Sequence, residues 1–322
     1  MTDQALGGPV VVLPQLSVAL VNWTAGIPQD WRYLVDRAQA AEEAGVDRVV
    51  VSDHVVFGED LEAYGKPELG GMVGGRQPTG PDGSWLEPMT SLAVIAGATK
   101  RVRLSTGIVL AALRRPVVLA KTAATLDVLS GGRLDLGVGI GWQREEYEAA
   151  GLEFARRGRL LDHTLEVCQC LWRGSRVGYE SGELQFDGIH MMPKPVAPDG
   201  VPIWVSGTLD ERVIARLARF GAGWIPWGDA ATDLATSIPQ MREGVAALGR
   251  DPEDIGVVGS IVVVPDEHGS VDAESTMAVV PDLVAIGVTD VRLFMPMPAS
   301  PVALADRLAG LVAAFRTQVG AP

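Results

Sequence analysis

The chain has 322 residues, a hydrophobic fraction of 47% and a formal net charge of −13 at pH 7. That length allows one large domain or two of ordinary size, and we expect a single domain over 1–322. The acidic balance argues against nucleic acid as a partner, and an anionic ligand would need local Arg, Lys or helix N-termini. No apolar run approaches the ~18 residues of a membrane span, and the first residues lack a secretion-signal pattern. We therefore expect a cytoplasmic protein without a membrane partner.

Apolar strand-like runs alternate with helical stretches along the chain. The predicted strands span 16–21, 47–52, 102–108, 133–138, 201–206, 223–226, 255–264 and 289–294. The predicted helices span 30–44, 88–99, 115–129, 145–171 with an interruption near Gly151, 210–220, 231–248, 275–286 and 302–315. Near-continuous apolar strands covered by helices are typical of a parallel sheet buried on both faces. Eight such units predict an α/β fold, a (β/α)8 TIM barrel, with an open doubly wound sheet as the alternative.

Two insertions interrupt this alternation. Residues 57–87 follow the second strand and are rich in Gly, Pro and charge, which is typical of a lid or substrate wall at the carboxyl end of a barrel strand. Residues 173–200 precede the fifth strand and contain a predicted hairpin that turns at Gly182. Near this second insertion, Trp172, Met191 and Met192 are either part of the core or cover the contact of a homodimer.

Polar and small residues follow the second and third strands, where barrels place catalytic groups and ligands. Asp53 and His54 come directly after the second strand, and a histidine there can donate a hydrogen bond or move a proton near neutral pH. The alternative is that Asp53 caps a turn and His54 is structural. Thr106, Gly107 and Ile108 end the third strand, where Gly107 indicates a bulge, a close approach to a flat ligand, or simple barrel packing.

Glycines alternate at the end of the fourth strand. Because Gly137, Gly139 and Gly141 remove every second side chain, we interpret them as making room for an inserted ring. The run lacks the G-x-G-x-x-G spacing of a dinucleotide site. Trp142 follows it and is either a pocket wall or part of the core.

Two further loops together predict a phosphate pocket. Ser206, Gly207 and Thr208 precede a helix, and small residues at such a point expose free backbone N–H groups to an anion. Gly223 and Trp224 begin the sixth strand. Ordinary capping explains each loop taken singly.

Motifs for several other chemistries are missing from the sequence. No H-x-H, H-E-x-x-H or C-x-x-C spacing occurs, so we expect no metal site, and no G-x-S-x-G elbow indicates a serine hydrolase. Cys168 and Cys170 lie two residues apart on a predicted helix, where their side chains point apart. Glu145 and Glu146 begin a helix and are interpreted as part of a solvated face.

The residues collected above resemble the bacterial luciferase-like monooxygenase family and, more narrowly, its coenzyme F420-dependent oxidoreductases. The segments that carry the resemblance are VSDHV at 51–55, the stretches 85–109 and 114–151, PKPV at 193–196, PIWVSG at 202–207 and ARFGAGW at 218–224. The resemblance implies a (β/α)8 barrel that binds a deazaflavin or flavin ring across the ends of the third and fourth strands.

Site residues also follow from the resemblance. The family's histidine falls on His54, and its non-proline cis peptide bond behind the ring falls on Gly107–Ile108. The implied cofactor-binding residues are Asp53, Thr106, Gly107, Ile108, Gly139, Gly141, Trp142, Ser206, Gly207, Thr208, Gly223 and Trp224. The family's sugar-phosphate dehydrogenase has a catalytic glutamate where this chain has Trp142 and a tryptophan where it has Gly58. We therefore expect another substrate, small and apolar, in a pocket built partly from residues 57–87.

The function that these features favour is an F420-dependent oxidoreductase. It would transfer a hydride between C5 of the deazaflavin and a small organic substrate, while His54 positions the substrate or moves a proton. An FMN-dependent monooxygenase on the same barrel is one alternative. A homologue that binds a ligand without catalysis is another, which the loss of the family's glutamate at position 142 permits.

Overall fold

Eight parallel strands close into a barrel in the computed structural model, which describes residues 13–26 and 30–320. The strands are β1 (Gln15–Ala19), β2 (Arg48–Val51), β3 (Arg103–Thr106), β4 (Leu134–Val138), β5 (Ile203–Gly207), β6 (Gly221–Pro226), β7 (Gly256–Val262) and β8 (Asp290–Phe294). Each pairs with its sequence neighbours, and β8 pairs with β1 to close the cylinder. The predicted (β/α)8 barrel is confirmed.

Helices follow the strands and cover the outside of the barrel. They are α1 (Arg32–Ala44), α2 (Pro88–Ala98), α3 (Pro116–Ser130), α4 (Arg157–Arg173), α5 (Glu211–Phe220), α6 (Leu234–Ala247), α7 (Val280–Ala285) and α8 (Pro301–Gln318). Short extra helices span Arg144–Ala149, Asp229–Thr232 and Ala273–Met277. The predicted helices 145–171 and 275–286 are therefore each two helices. Among the helices that the structure describes, none combines the length and apolar character that crossing a membrane requires.

Ion pairs fill the amino-terminal half of the barrel interior. Asp135 accepts hydrogen bonds from Arg48 Nε at 2.9 Å and from Arg103 Nε at 2.7 Å. Arg48 also pairs with Asp290, which accepts a hydrogen bond from Ser17 Oγ at 2.5 Å. Buried charges of opposite sign compensate one another here, as burial requires. This half of the barrel is packed with side chains, so open space lies at the carboxyl ends of the strands.

The insertion before β5 contains the predicted hairpin, formed by Val177–Glu180 and Gln185–Ile189. Trp172 and Met191 are buried in the core, and Trp172 Nε1 donates to the Ala120 carbonyl at 2.9 Å. Of the three residues considered for a homodimer contact, Met192 alone is exposed. The core alternative is therefore confirmed for Trp172 and Met191, and a homodimer stays a prediction.

Candidate functional site

A cavity of about 370 Å³ opens at the carboxyl ends of β1, β2, β3, β7 and β8. Most of its lining is apolar, and Gly107 and Arg292 interrupt that lining at the end of β3 and on β8. The lining residues are Ala19, Leu20, Val21, Trp23, Val50, Val51, Ser52, Gly107, Val262, Arg292, Phe294, Met295 and Pro296. The volume lies within the range of small-molecule sites. Of the predicted site residues, Gly107 is the one that lines this cavity.

The loop after β3 brings bare main chain to the cavity. The Gly107–Ile108 peptide bond is cis, at the position that the family resemblance indicates. A Cβ atom at Gly107 would lie 2.5 Å from Val50 Cγ1 and 3.3 Å from Arg292 Nη1, so a side chain has no room there. Thr106 is fully buried, and its hydroxyl donates to the Gly137 carbonyl at 2.6 Å. Thr106 thus fixes this loop to β4.

The glycines of β4 and its following loop accommodate protein atoms. A Cβ at Gly137 would collide with the Thr106 carbonyl oxygen, and one at Gly139 would lie 2.9 Å from Ile108 Cδ1. Gly141 has a positive φ of 66°, so a side chain there would be strained. The interpretation that these glycines open space for a ring is wrong, because the loop after β3 fills that space. Contact of Gly139 and Gly141 with a cofactor stays a prediction.

His54 lies in a box of aromatic side chains. Its ring centroid is 4.4 Å from that of Phe57, 4.8 Å from Trp85 and 5.8 Å from Trp142. Trp85 stacks on Trp23, which lines the cavity, so the box borders the cavity wall. The structure thus brings His54 and Trp142 together, and Trp142 is a wall of the box.

The carboxylate of Glu146, which the sequence predicts to lie on a solvated face, completes this box. Glu146 is buried, and its Oε1 accepts a hydrogen bond from the Val55 N–H at 2.8 Å. Its Oε2 lies 3.3 Å from His54 Nδ1, although the pair is not aligned as a hydrogen bond. The predicted solvated face is therefore wrong at Glu146. A usable signal was its place in the first helical turn after a barrel strand, which is at the carboxyl face.

Asp53 stabilises the loop that carries the cis peptide bond. Its Oδ2 accepts hydrogen bonds from the Leu110 N–H at 2.8 Å and from Arg114 Nη1 at 2.6 Å. Burial lowers the pKa of Arg114, but the charges of Asp53 and Glu87 outweigh burial and raise it. Both carboxylate oxygens of Asp53 have partners within the protein. This agrees with the structural alternative for Asp53, and its contact with a cofactor stays a prediction.

The predicted phosphate loop lies at the end of β5, on the side of the barrel away from the cavity. Within the described residues, the N–H groups of Thr208 and Leu209 have no protein acceptor. Such free N–H groups suit an anion. The side chain of Asp210 caps α5 through the Val213 N–H at 2.7 Å, so a carboxylate already occupies the helix start.

Residues of β6 support this phosphate loop from the core. Trp224 is fully buried, and its Nε1 donates to the Gly207 carbonyl at 3.1 Å. A Cβ at Gly223 would collide with the ring of Trp204. Trp224 therefore packs behind Gly207 and has no exposed surface for a cofactor. Contact of Ser206, Gly207, Thr208 and Gly223 with a cofactor stays a prediction.

The insertion after β2 reaches across the loops after β4 and β6 at the carboxyl face. Trp227 Nε1 donates to the carbonyls of Gly70 at 3.0 Å and of Gly71 at 3.2 Å. The ring of Tyr64 lies 5.4 Å from that of Trp142 and 6.1 Å from that of Trp227. Residues 57–87 therefore bridge the loops after β4 and β6, as expected of a lid or substrate wall.

Comparisons with known proteins agree with this architecture. The F420-dependent glucose-6-phosphate dehydrogenase of Gordonia bronchialis is 31% identical over 256 residues, which cover 77% of this chain and 68% of that protein. An F420-dependent secondary alcohol dehydrogenase, solved with an F420–acetone adduct, gives a TM-score of 0.72 at 19% identity over 94% of this chain and 99% of its own. Riboflavin lyase (RcaE), solved with modified FMN and riboflavin, gives 0.74 at 16% identity over 96% and 93%. At these identities the two structures show a shared fold.

The fold and its cavity define a (β/α)8-barrel protein with a ligand-sized cavity at the carboxyl face of the strands. The model of the luciferase-like monooxygenase family matches residues 12–280. The chain therefore belongs to the luciferase-like monooxygenase family, and the resemblance seen in its sequence is confirmed.

Proposed function

We propose that this protein is an F420-dependent oxidoreductase whose deazaflavin ring binds in the barrel mouth beside Gly107. The observation that carries the proposal is that Gly107 presents bare main chain to a largely apolar cavity. Gly107 lies at the position where, by the family resemblance, the main chain would support the back of the ring. The similarity to an F420-dependent dehydrogenase adds weight to deazaflavin as the cofactor.

The residues present fit such a cofactor. The apolar walls of the cavity suit a flat ring, and its volume of about 370 Å³ is in the range of small-molecule sites. The free N–H groups of Thr208 and Leu209 would hold an anionic part of the cofactor. When bound, F420 supplies a hydride carrier, while the protein contributes binding, orientation and electrostatics.

His54 and Glu146 would handle a proton at this site. A carboxylate 3.3 Å from Nδ1 favours the tautomer that carries the proton on this nitrogen. His54 Nε2 is then left to accept a proton from the substrate, or to donate one once the ring is doubly protonated. The aromatic box fixes the plane of the imidazole, so His54 Nε2 would exchange its proton along one fixed direction.

The cover formed by residues 57–87 would keep water from the reacting atoms. Tyr64 and Trp142 pack against each other above the mouth, and Trp227 fixes the backbone at Gly70. Excluding water strengthens electrostatic interactions inside the site and prevents side reactions. The insertion would therefore exclude water from the side of the mouth formed by the loops after β4 and β6.

Titration of F420 and FMN into the purified protein, followed by tryptophan fluorescence, tests the proposal. We expect F420 to bind in the micromolar range and more tightly than FMN. Gly107→Ala should weaken F420 binding at least 10-fold, because its Cβ would meet Val50. Gly310→Ala is the matched control, since a Cβ there has nothing within 4 Å. Tighter binding of FMN would favour the flavin-dependent monooxygenase, and binding of neither cofactor would contradict both functions.

A further inference from the structure

Arg292 is a buried cation at the cavity without a counter-ion. It is 5% exposed on β8 and lines the cavity. Within the described residues 13–26 and 30–320, its side chain makes no hydrogen bond and no ion pair, and its Nε is buried without an acceptor. An isolated buried charge is costly, and an anion that enters the cavity from outside would compensate it.

The other arginines inside the barrel are paired. Arg48 and Arg103 share Asp135, and Arg48 also pairs with Asp290. Ser17 takes up the other oxygen of Asp290. Arg292 is thus the cation left over from this cluster. Burial, followed by the charge of Arg48, lowers the pKa of Arg292 to about 9, so the guanidinium still carries its charge at neutral pH.

The surroundings of Arg292 define the chemistry of its partner. The rest of the lining is largely apolar and includes Trp23, Val262 and Phe294. The hydroxyl of Ser52, which also lines the cavity, already donates a hydrogen bond to Asn22 Oδ1 at 3.0 Å. One cation among apolar walls suits a ligand with one negative group on an apolar body. A planar guanidinium matches a carboxylate by two parallel hydrogen bonds, whereas a more highly charged phosphate would leave charge uncompensated.

We propose that Arg292 binds the carboxylate of a substrate whose remainder is apolar. The inference rests on the proposed function for its placement of the substrate beside the cofactor ring. Arg292 Nη1 would lie 3.3 Å from a Cβ at Gly107, so a carboxylate held there is anchored beside the proposed position of the ring. Anchoring one end of the substrate orients its reacting atom, which is a large part of catalysis by binding.

Binding of matched acids and amides tests the proposal without turnover. The probes are benzoate and hexanoate, each compared with its neutral amide, by calorimetry and thermal shift on the full chain. We expect at least one acid to bind the parent 10-fold or more tightly than its amide. Arg292→Met should abolish this preference, and Arg292→Lys should keep part of it, because lysine retains the charge without the fork.

Arg316→Met is the matched control, since Arg316 lies on α8, pairs with Asp47 and does not line the cavity. It should leave the preference for acids unchanged. Arg292→Gln serves as a second variant if Arg292→Met does not fold. Equal binding of acids and amides by the parent would overturn the proposal, as would a preference that survives in Arg292→Met.

F420 titrations of the same variants separate the two proposals. Unchanged F420 binding in Arg292→Met, together with loss of the acid preference, supports a substrate carboxylate as the anion. Weakened F420 binding with an unchanged acid preference would assign Arg292 to the cofactor and overturn the inference. If the parent prefers acids but binds neither F420 nor FMN, the proposed function fails while the carboxylate site stands.

Discussion

His54 and Glu146 face each other at the barrel mouth, with Nδ1 and Oε2 3.3 Å apart. The histidine follows β2 and the glutamate lies on the short helix Arg144–Ala149 after β4, so residues about ninety positions apart form one unit. Glu146 also accepts the N–H of Val55, which ties the backbone after His54 to the same carboxylate. Glu146 is therefore held by a hydrogen bond at Oε1, while its Oε2 faces the imidazole.

Glu146→Gln should lower kcat about 10- to 100-fold, the usual effect of removing a group that orients a functional histidine. The amide oxygen of glutamine can still accept the Val55 N–H, so the fold should persist. Steady-state kinetics with the cofactor that binds gives the measurement. Glu145→Gln, at the neighbouring and partly exposed residue, is the control. An unchanged kcat in Glu146→Gln would remove the pair from the mechanism.

Asp53→Ala should destabilise the protein by about 3–5 kcal/mol, because it leaves the half-buried Arg114 without its main partner. Urea denaturation measures the change. The control is Glu183→Gln in the exposed Arg156–Glu183 pair, for which we expect less than about 1 kcal/mol. Equal losses in the two variants would show that Asp53 does not hold the loop after β3.

Arg292→Met should stabilise the ligand-free protein by about 1–3 kcal/mol at pH 7, because it replaces an uncompensated buried charge with an apolar side chain. The lowered pKa of about 9 means that the unfolded chain binds the proton more tightly than the folded protein does. The cost of the charge is thus fully present below pH 9 and declines as pH rises above it. Urea unfolding at pH 7 to 10 should show the advantage of the variant shrinking above pH 9, and a constant advantage would contradict this assignment.

Gly137→Ala should cost about 3 kcal/mol, since its methyl group collides with the Thr106 carbonyl. Gly97→Ala should instead stabilise the protein by about 0.5–1 kcal/mol, because Gly97 lies in α2 with open space around it. Thermal or urea denaturation compares the two. A tolerated Gly137→Ala would mean that the loop after β3 can move away from β4.

Trp227→Phe should loosen the cover over the mouth. The variant keeps an aromatic ring but loses the hydrogen bonds to Gly70 and Gly71, which costs about 0.5–1.5 kcal/mol. Hydrogen exchange should become faster within residues 57–87. Trp31→Phe is the control, because Trp31 lies outside residues 57–87 and stacks on Tyr33. It should leave the exchange within residues 57–87 unchanged.

The barrel was predictable because alternating apolar strands and helices are a strong, regular pattern, and its mouth was predictable because barrels place polar residues after their strands. Glu146 was missed because its helix is short and its partner, His54, is distant in sequence. Arg292 was missed although a signal existed. Val291 and Leu293 are apolar, so the alternating residues Asp290 and Arg292 must point into the barrel. That alternation places the charges, but their pairing depends on neighbouring strands and needs the structure.

The ion pairs of Arg48, Arg103 and Asp135 close the amino-terminal end of the barrel interior. Small molecules therefore reach the barrel interior from its carboxyl end, where the cavity opens. A molecule that binds in the cavity therefore enters and leaves at the carboxyl face of the barrel.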